Sequence, residues 1–185
     1  MSSAGFVLAG GQSRRMGTDK ALLPHGSGTL LEFVARQVLA VAGTITVIGP
    51  PERYAGLGLE ILPDSRVAAG PLGGIETALS LRRADRNLIV ACDLPAIDCA
   101  LLRRLFQEAE RTSADCVMAE SPAGVEPLLA VWRLTCLSAV RACLDAGIRK
   151  VTDALDGLVV RHVPVSVDLV INWNRPEDVA GGPVG

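Results

Sequence analysis

Aromatic side chains are scarce. Three Phe, two Trp and one Tyr make up 3% of the 185 residues. So few rings exclude the stacking platforms of single-strand nucleic-acid binders and leave core filling to Val, Leu, Ile and Ala. An excess of positive charge is lacking too. The 18 Lys+Arg against 20 Asp+Glu give a net charge of −2 and an isoelectric point near 5.7, so no bulk field recruits a nucleic-acid backbone or an anionic membrane. Mean hydropathy is +0.36, yet no apolar stretch nears the roughly 20 residues of a spanning helix. The hydrophobicity therefore belongs to a core. Met1 to Gly5 lead into a short apolar segment with no basic n-region or long h-region, so a cytoplasmic location is expected. Histidine is limited to His25 and His162, too few and too separated for a metal cluster or a catalytic triad; both are expected as ordinary surface or strand residues. The five cysteines, Cys92, Cys99, Cys116, Cys136 and Cys143, are odd in number and form no CxxC pair, which favours free thiols over disulfides or zinc.

What is abundant points to a packed domain. The 49% apolar content excludes a disordered chain, and the length favours one domain, expected over residues 1–180 with a frayed tail at 181–185. Short β-branched runs alternate with helical patterns. Gly5–Ala9, Thr44–Ile48, Leu59–Leu62 and Leu88–Cys92 read as buried parallel strands. Leu30, Leu31, Val34, Val38 and Leu39 recur at helical spacing, as do Ile75, Ala78, Leu79 and Leu81, and Leu101, Leu102, Leu105 and Phe106. Asp115–Ala119 and Pro127–Trp132, joined by the Pro122-Ala123-Gly124 turn, predict a hairpin and hence a locally mixed sheet. A helix over Leu134–Asp145, a shorter one around Val151–Leu155, and strands at Leu158–Val163 and Leu169–Ile171 complete the pattern. The fold class is a single-domain, three-layer α/β/α Rossmann-like arrangement with a mostly parallel, locally mixed sheet.

Ligands of open α/β sheets sit outside the carboxyl ends of the strands. The loop after the first strand, Leu8-Ala9-Gly10-Gly11-Gln12-Ser13-Arg14-Arg15-Met16-Gly17-Thr18-Asp19-Lys20, combines glycines, hydroxyls and cations at such a place. Glycines let backbone N–H groups approach phosphate oxygens, and Arg15 or Lys20 can neutralise a triphosphate. It is neither a P-loop nor GxGxxG, since Lys20 does not follow Gly17 and the glycine spacing is wrong. A solvated surface loop is the plainer alternative. Asp93 ends the fourth strand, where a carboxylate suits Mg²⁺ but equally suits the N-cap of a helix entered through Pro95.

The loop LAGGQSRRMGTDKALL resembles the signature of the MobA-type nucleotidyltransferases, which attach a nucleotide to molybdopterin. Further segments agree in order: Leu62-Pro63-Asp64, Gly70-Pro71-Leu72-Gly73-Gly74-Ile75, Ala91-Cys92-Asp93-Leu94-Pro95, Glu126-Pro127-Leu128-Leu129-Ala130-Val131 and Asn172-Trp173-Asn174-Arg175-Pro176-Glu177-Asp178. In combination they are similar to the molybdenum cofactor guanylyltransferases and span nearly the whole chain. The resemblance implies transfer of GMP from GTP to molybdopterin with release of pyrophosphate. It assigns Mg²⁺ to Asp93, phosphate contacts to Lys20, the leaving pyrophosphate to Arg15 with Lys20, backbone contacts to Leu8, Ala9, Gly10 and Gly11, and the base or ribose side to Asp64. Arg149 and Lys150 are expected near the pterin phosphate, against solvated helix charges as the alternative. Asn172 and Asn174, alternating along a strand end, are expected on the pterin or metal side, with helix capping the alternative for Asn174. The implied protein partners are molybdopterin-loading enzymes and acceptor molybdoenzymes, with no nucleic acid and no membrane. Where other members carry an asparagine after the second strand, this chain has Gly49-Pro50-Pro51. Cytidylyl transfer from CTP and a non-catalytic nucleotide- or pterin-binding chaperone are the competing readings.

Overall fold

The computed structural model describes residues 2–10 and 19–173. Gly11, Arg14, Arg15, Asn174 and the 181–185 tail lie outside the described residues. The strands are β1 (Ser3–Leu8), β2 (Pro24–His25), β3 (Gly28–Thr29), β4 (Thr46–Ile48), β5 (Ile61–Leu62), β6 (Arg86–Ala91), β7 (Cys116–Ser121), β8 (Gly124–Arg133) and β9 (Val160–Pro164). The helices are α1 (Leu30–Ala42), α2 (Pro51–Tyr54), α3 (Gly70–Ser80), α4 (Cys99–Arg111) and α5 (Leu137–Asp145). Seven strands form the main sheet in the order β5-β4-β1-β6-β8-β7-β9, and β2 pairs with β3 in a separate hairpin.

Every main-sheet pairing is parallel except those made by β8, which runs against both β6 and β7. The expected hairpin is the β7–β8 unit, and it is what makes the sheet mixed. Successive strand residues point to opposite faces, so the sheet supplies two cores. Val7, Leu88, Val90 and Val131 pack against α1 and α4, whereas Phe6, Ile89, Ala130 and Trp132 pack against α3 and α5. Each helix is defined by local chemistry. Thr29 and Glu32 form a reciprocal capping box at the start of α1, and Asp98 caps α4 through the Leu101 N–H at 2.7 Å.

The chain traces β1 to β4 to β5 on one side of β1 and then returns to place β6 on the other. The strand order therefore reverses between β1 and β6, and the loops that follow these two neighbours meet at the carboxyl edge of the sheet, the crevice where open α/β sheets hold ligands.

Three expectations are corrected. Leu169–Ile171 is not a strand: Val167–Val170 forms a 3₁₀ turn, in which the Ser166 hydroxyl bonds Asp168 and the Leu169 N–H bonds the Ser166 carbonyl. These local bonds outcompete a ladder, so Asn172 follows a turn rather than alternating along a strand end. Leu39 lies on the solvent side of α1, 44% exposed, because the buried stripe runs through Leu31, Val34, Ala35, Val38 and Ala42. The cap before α4 belongs to Asp98, not Asp93. Among the described residues all five cysteines are free thiols, with Cys116 and Cys136 buried, and no helix is long and apolar enough to cross a membrane.

Candidate active site

β1 and β6 bring their following loops together. The Cys92 N–H donates to the Leu8 carbonyl at 3.1 Å, and the Ala9 N–H donates to the Ile48 carbonyl at 2.9 Å, extending the sheet beyond its regular ends. Two glycines shape the Leu8–Gly10 segment. Gly10 has φ +92°, a conformation L side chains rarely adopt, and a Cβ there would collide with the Pro50 ring. A Cβ on Gly49 would stand 2.7 Å from the Ala9 carbonyl oxygen, so only glycine lets the β4 exit lie so close.

Lys20 opens a 3₁₀ turn spanning Lys20–Leu22, and this turn is fixed by Asp19. One Asp19 carboxylate oxygen accepts from the Ala21 N–H at 3.1 Å, and the other accepts from the Tyr54 hydroxyl at 2.9 Å. Tyr54 is fully buried, and burial first, then Asp19, pushes its hydroxyl pKa far above the usual value. Arg53 lies 3.6 Å from Asp19 and adds a partly exposed ion pair.

Held in this way, the Lys20 ammonium lies 3.7 Å from the Asp93 carboxylate, and both side chains are three-quarters or more buried, at 18% and 24% exposure. Burial raises the Asp93 pKa above the ordinary carboxylate value, and Lys20 only partly opposes it. Glu126, near the start of β8, is the second carboxylate here. Burial, and then the charge of Asp93, raise its pKa as well. β8 is reversed, so its first residues arrive at the carboxyl ends of the neighbouring strands. Glu126 belongs to a motif visible in the sequence, but its place beside Asp93 depends on strand direction, which periodicity does not reveal.

The CDLP loop is braced from two sides. The His25 Nε2 atom is 2.9 Å from the Pro95 carbonyl oxygen, and the Trp173 N–H donates to the Asp93 carbonyl at 3.1 Å. His25 is thus a structural strand residue, and its ring also lies 4.2 Å from that of Phe33. The Trp173 bond lays the segment carrying Asn172 alongside the Asp93 loop.

Asp64 is exposed, but the neighbouring chain partly desolvates its carboxylate and raises its pKa. One of its oxygens lies 3.5 Å from the Cβ position of Gly74 on α3. The following residue, Ser65, is tied to α3 by bonds to Glu76 and Thr77. α3 begins at Gly70 with no side-chain cap, which leaves its first N–H groups without a capping side chain. Arg149 passes close to that end, its carbonyl 3.6 Å from the Gly70 Cβ position. Its guanidinium, however, donates to the Leu144 and Ile148 carbonyls at the end of α5. Lys150 is exposed and lies 3.5 Å from Asp153. The structure therefore joins Leu8, Ala9, Gly10, Lys20 and Asp93 around one crevice, with Asp64 and Asn172 on segments tied to its flanks, and engages Arg149 and Lys150 with groups of their own region.

Residues 5–159 match the family model of the MobA-like NTP transferase domain. The probable molybdenum cofactor guanylyltransferase of Synechococcus elongatus is 34% identical, with 96% of each chain covered. The molybdenum cofactor guanylyltransferase of Mesorhizobium japonicum is 36% identical over 96% of this chain and 92% of its own length. The crystal structure of molybdopterin-guanine dinucleotide biosynthesis protein A from Archaeoglobus fulgidus superposes with a TM-score of 0.80 at 24% identity, over 96% of this chain and 95% of that one, and shares the fold.

Proposed function

The chain belongs to the MobA-like NTP transferase family, and on that premise we propose that it transfers GMP from GTP to the phosphate of molybdopterin, releasing pyrophosphate and forming the guanine dinucleotide cofactor. The observation that carries the reading is the meeting of Lys20 and Asp93, 3.7 Å apart, in the crevice between β1 and β6. The names borne by relatives aligned over almost their full length point to guanine as the base.

In this reaction a phosphate oxygen of molybdopterin attacks the α-phosphorus of GTP in line. The new P–O bond forms as the bond to the β-phosphate oxygen breaks, and the electron pair leaves on pyrophosphate. No general base is required, because the attacking phosphate is already ionised near neutrality. The work of the protein is positioning and charge neutralisation. Lys20, held by the Asp19 cap, stabilises the charge gathering on pyrophosphate, and Arg15 is assigned to the same task. The backbone of Leu8, Ala9, Gly10 and Gly11 lines the nucleotide, and Asp64 attends its base or ribose.

The donor set around Asp93 suits Mg²⁺. Among the described residues no group of three or more His, Cys, Asp and Glu converges on one point, and Asp93 with Glu126 beside it offers only hard oxygen ligands. Mg²⁺ is held in just this sparse manner, by one or two carboxylates with the remaining positions taken by water and substrate phosphates. When bound, the ion supplies charge neutralisation on the triphosphate. Molybdopterin-loading enzymes would supply the acceptor substrate, and molybdoenzymes would receive the product.

The deciding experiment is pyrophosphate release by the purified protein with GTP, CTP, ATP or UTP, each with and without molybdopterin and Mg²⁺. Release with GTP that needs both additions is the expected result. A preference for CTP would reassign the base, and no release with any nucleotide would leave a binding module.

A further inference from the structure

The sheet has a second charged rim, at the opposite ends of its strands. β6 begins with Arg86, which is buried, with 4% exposure. By strand alternation it faces the same side as Leu88 and Val90, toward the layer of α1 and α4. There it lines a cleft of about 200 Å³ together with Ser2 and Ser3 of the chain start and Arg103, Gln107 and Glu110 of α4. The Arg86 Nε atom is buried with no hydrogen-bond partner among the described residues. Neither Arg86 nor Arg103 enters any ion pair among those residues.

A guanidinium cannot escape the cost of that orphaned Nε–H by losing its proton, and a buried donor without an acceptor is unfavourable. We propose that this cleft binds a small oxyanion, a phosphate or carboxylate group, held by the Arg86 guanidinium with Arg103 at the mouth. The planar fork of arginine matches both groups. The Ser2 hydroxyl oxygen accepts from the Asp85 N–H at 3.3 Å, which leaves its own O–H able to donate to the anion. Glu110 stands on the same wall and limits the charge the cleft accepts. β6 separates this site from Asp93 by roughly 20 Å at about 3.3 Å per residue, so the site is independent of nucleotidyl transfer.

The test is a titration with inorganic phosphate, followed by thermal melting and calorimetry, with sodium acetate and sodium chloride at matched ionic strength. The phosphate-binding crevice is controlled for by Lys20→Ala. Phosphate or acetate should raise the melting temperature of the parent and of Lys20→Ala alike. Arg86→Met should weaken binding by about tenfold or more, the loss expected for a charged hydrogen bond. Glu110→Gln should tighten it. Arg103→Ala, an exposed change that leaves the ligand-free melt unaltered, should weaken binding in the same direction and serves if Arg86→Met does not fold. Response to phosphate alone or to acetate alone identifies the group. The proposal is overturned if neither anion acts, if the effect disappears in Lys20→Ala, or if it survives intact in both arginine variants.

Discussion

Tyr54→Phe isolates one bond that connects the core to the turn carrying Lys20. The hydroxyl of a fully buried tyrosine donates to Asp19 at 2.9 Å, and removing a hydrogen bond to a charged group costs about 1.5–3 kcal/mol. Phe fills almost the same volume, so no cavity term is added. Asp19 keeps the Ala21 N–H at 3.1 Å and Arg53 at 3.6 Å. The latter pair is half-exposed on the arginine side and contributes no more than about 1 kcal/mol. A net loss of about 2 kcal/mol follows. For a domain of this size each kcal/mol lowers the melting temperature by about 2–4 °C, which predicts a drop of about 4–8 °C. The pH dependence provides a second reading. The folded-state pKa is raised, so this stabilisation is fully present below the unfolded tyrosine value near 10 and is lost as pH climbs beyond it. Urea unfolding of the parent should therefore show stability falling above about pH 10, with that component missing in Tyr54→Phe. A double-mutant cycle with Asp19→Ala should return a coupling energy above about 1 kcal/mol. Additive losses, or a Tyr54→Phe cost below about 0.5 kcal/mol, would show that the bond does not hold the turn.

The remaining predictions concern the crevice and the outer sheet. Asp93→Asn should abolish pyrophosphate release while raising the melting temperature, because burial makes the ionised carboxylate costly; a stable variant with full activity would refute the metal assignment. Gly49→Ala should cost about 1–3 kcal/mol by pressing on the Ala9 carbonyl, and in steady-state kinetics should raise the KM for nucleotide. Arg83 grips Glu60 through two bonds of 2.6 Å and, with Thr46, holds the carboxyl down at about 2. Its stabilisation is present above the unfolded glutamate value near 4.5 and lost as pH falls toward 2. Arg83→Met should remove that acid-limb component from a pH series of urea unfolding curves.

The sequence carried those parts of the fold that local periodicity encodes. α1, α3, α4 and the core strands follow from their apolar spacing, and the β7–β8 hairpin from its short turn. The order of strands was not legible, because, apart from the β4–β5 and β7–β8 neighbours, it depends on which β-branched ribbons meet across gaps of about 40 residues or more. That is why Glu126 stood in a visible motif with no role attached. Asp19 and Tyr54 are similarly distant in sequence, and only the fold shows that they cooperate to aim Lys20. The Asn172 strand failed for the opposite reason: Ser166 and Asp168 offered the backbone a nearer partner than any ladder. Residue type and position after a strand mark Lys20 and Asp93 as candidates and the resemblance gives them their expected roles, while the fold places the two 3.7 Å apart.

The reversed direction of β8 has a mechanical consequence. Lys20 and Asp93 stand outside the strands, on segments whose neighbouring loops can change length without disturbing the sheet, whereas Glu126 is presented from inside a strand, paired with Ala119 beside the register shift that follows Met118. The crevice thus has one wall held by side-chain braces and one held by the sheet ladder itself. Insertions after β1 or β6 can retune the fit to a nucleotide, but moving Glu126 requires sliding β8 past two neighbours at once. Variation in substrate preference is therefore easier to introduce on the loop side, while the second carboxylate stays indexed to the sheet.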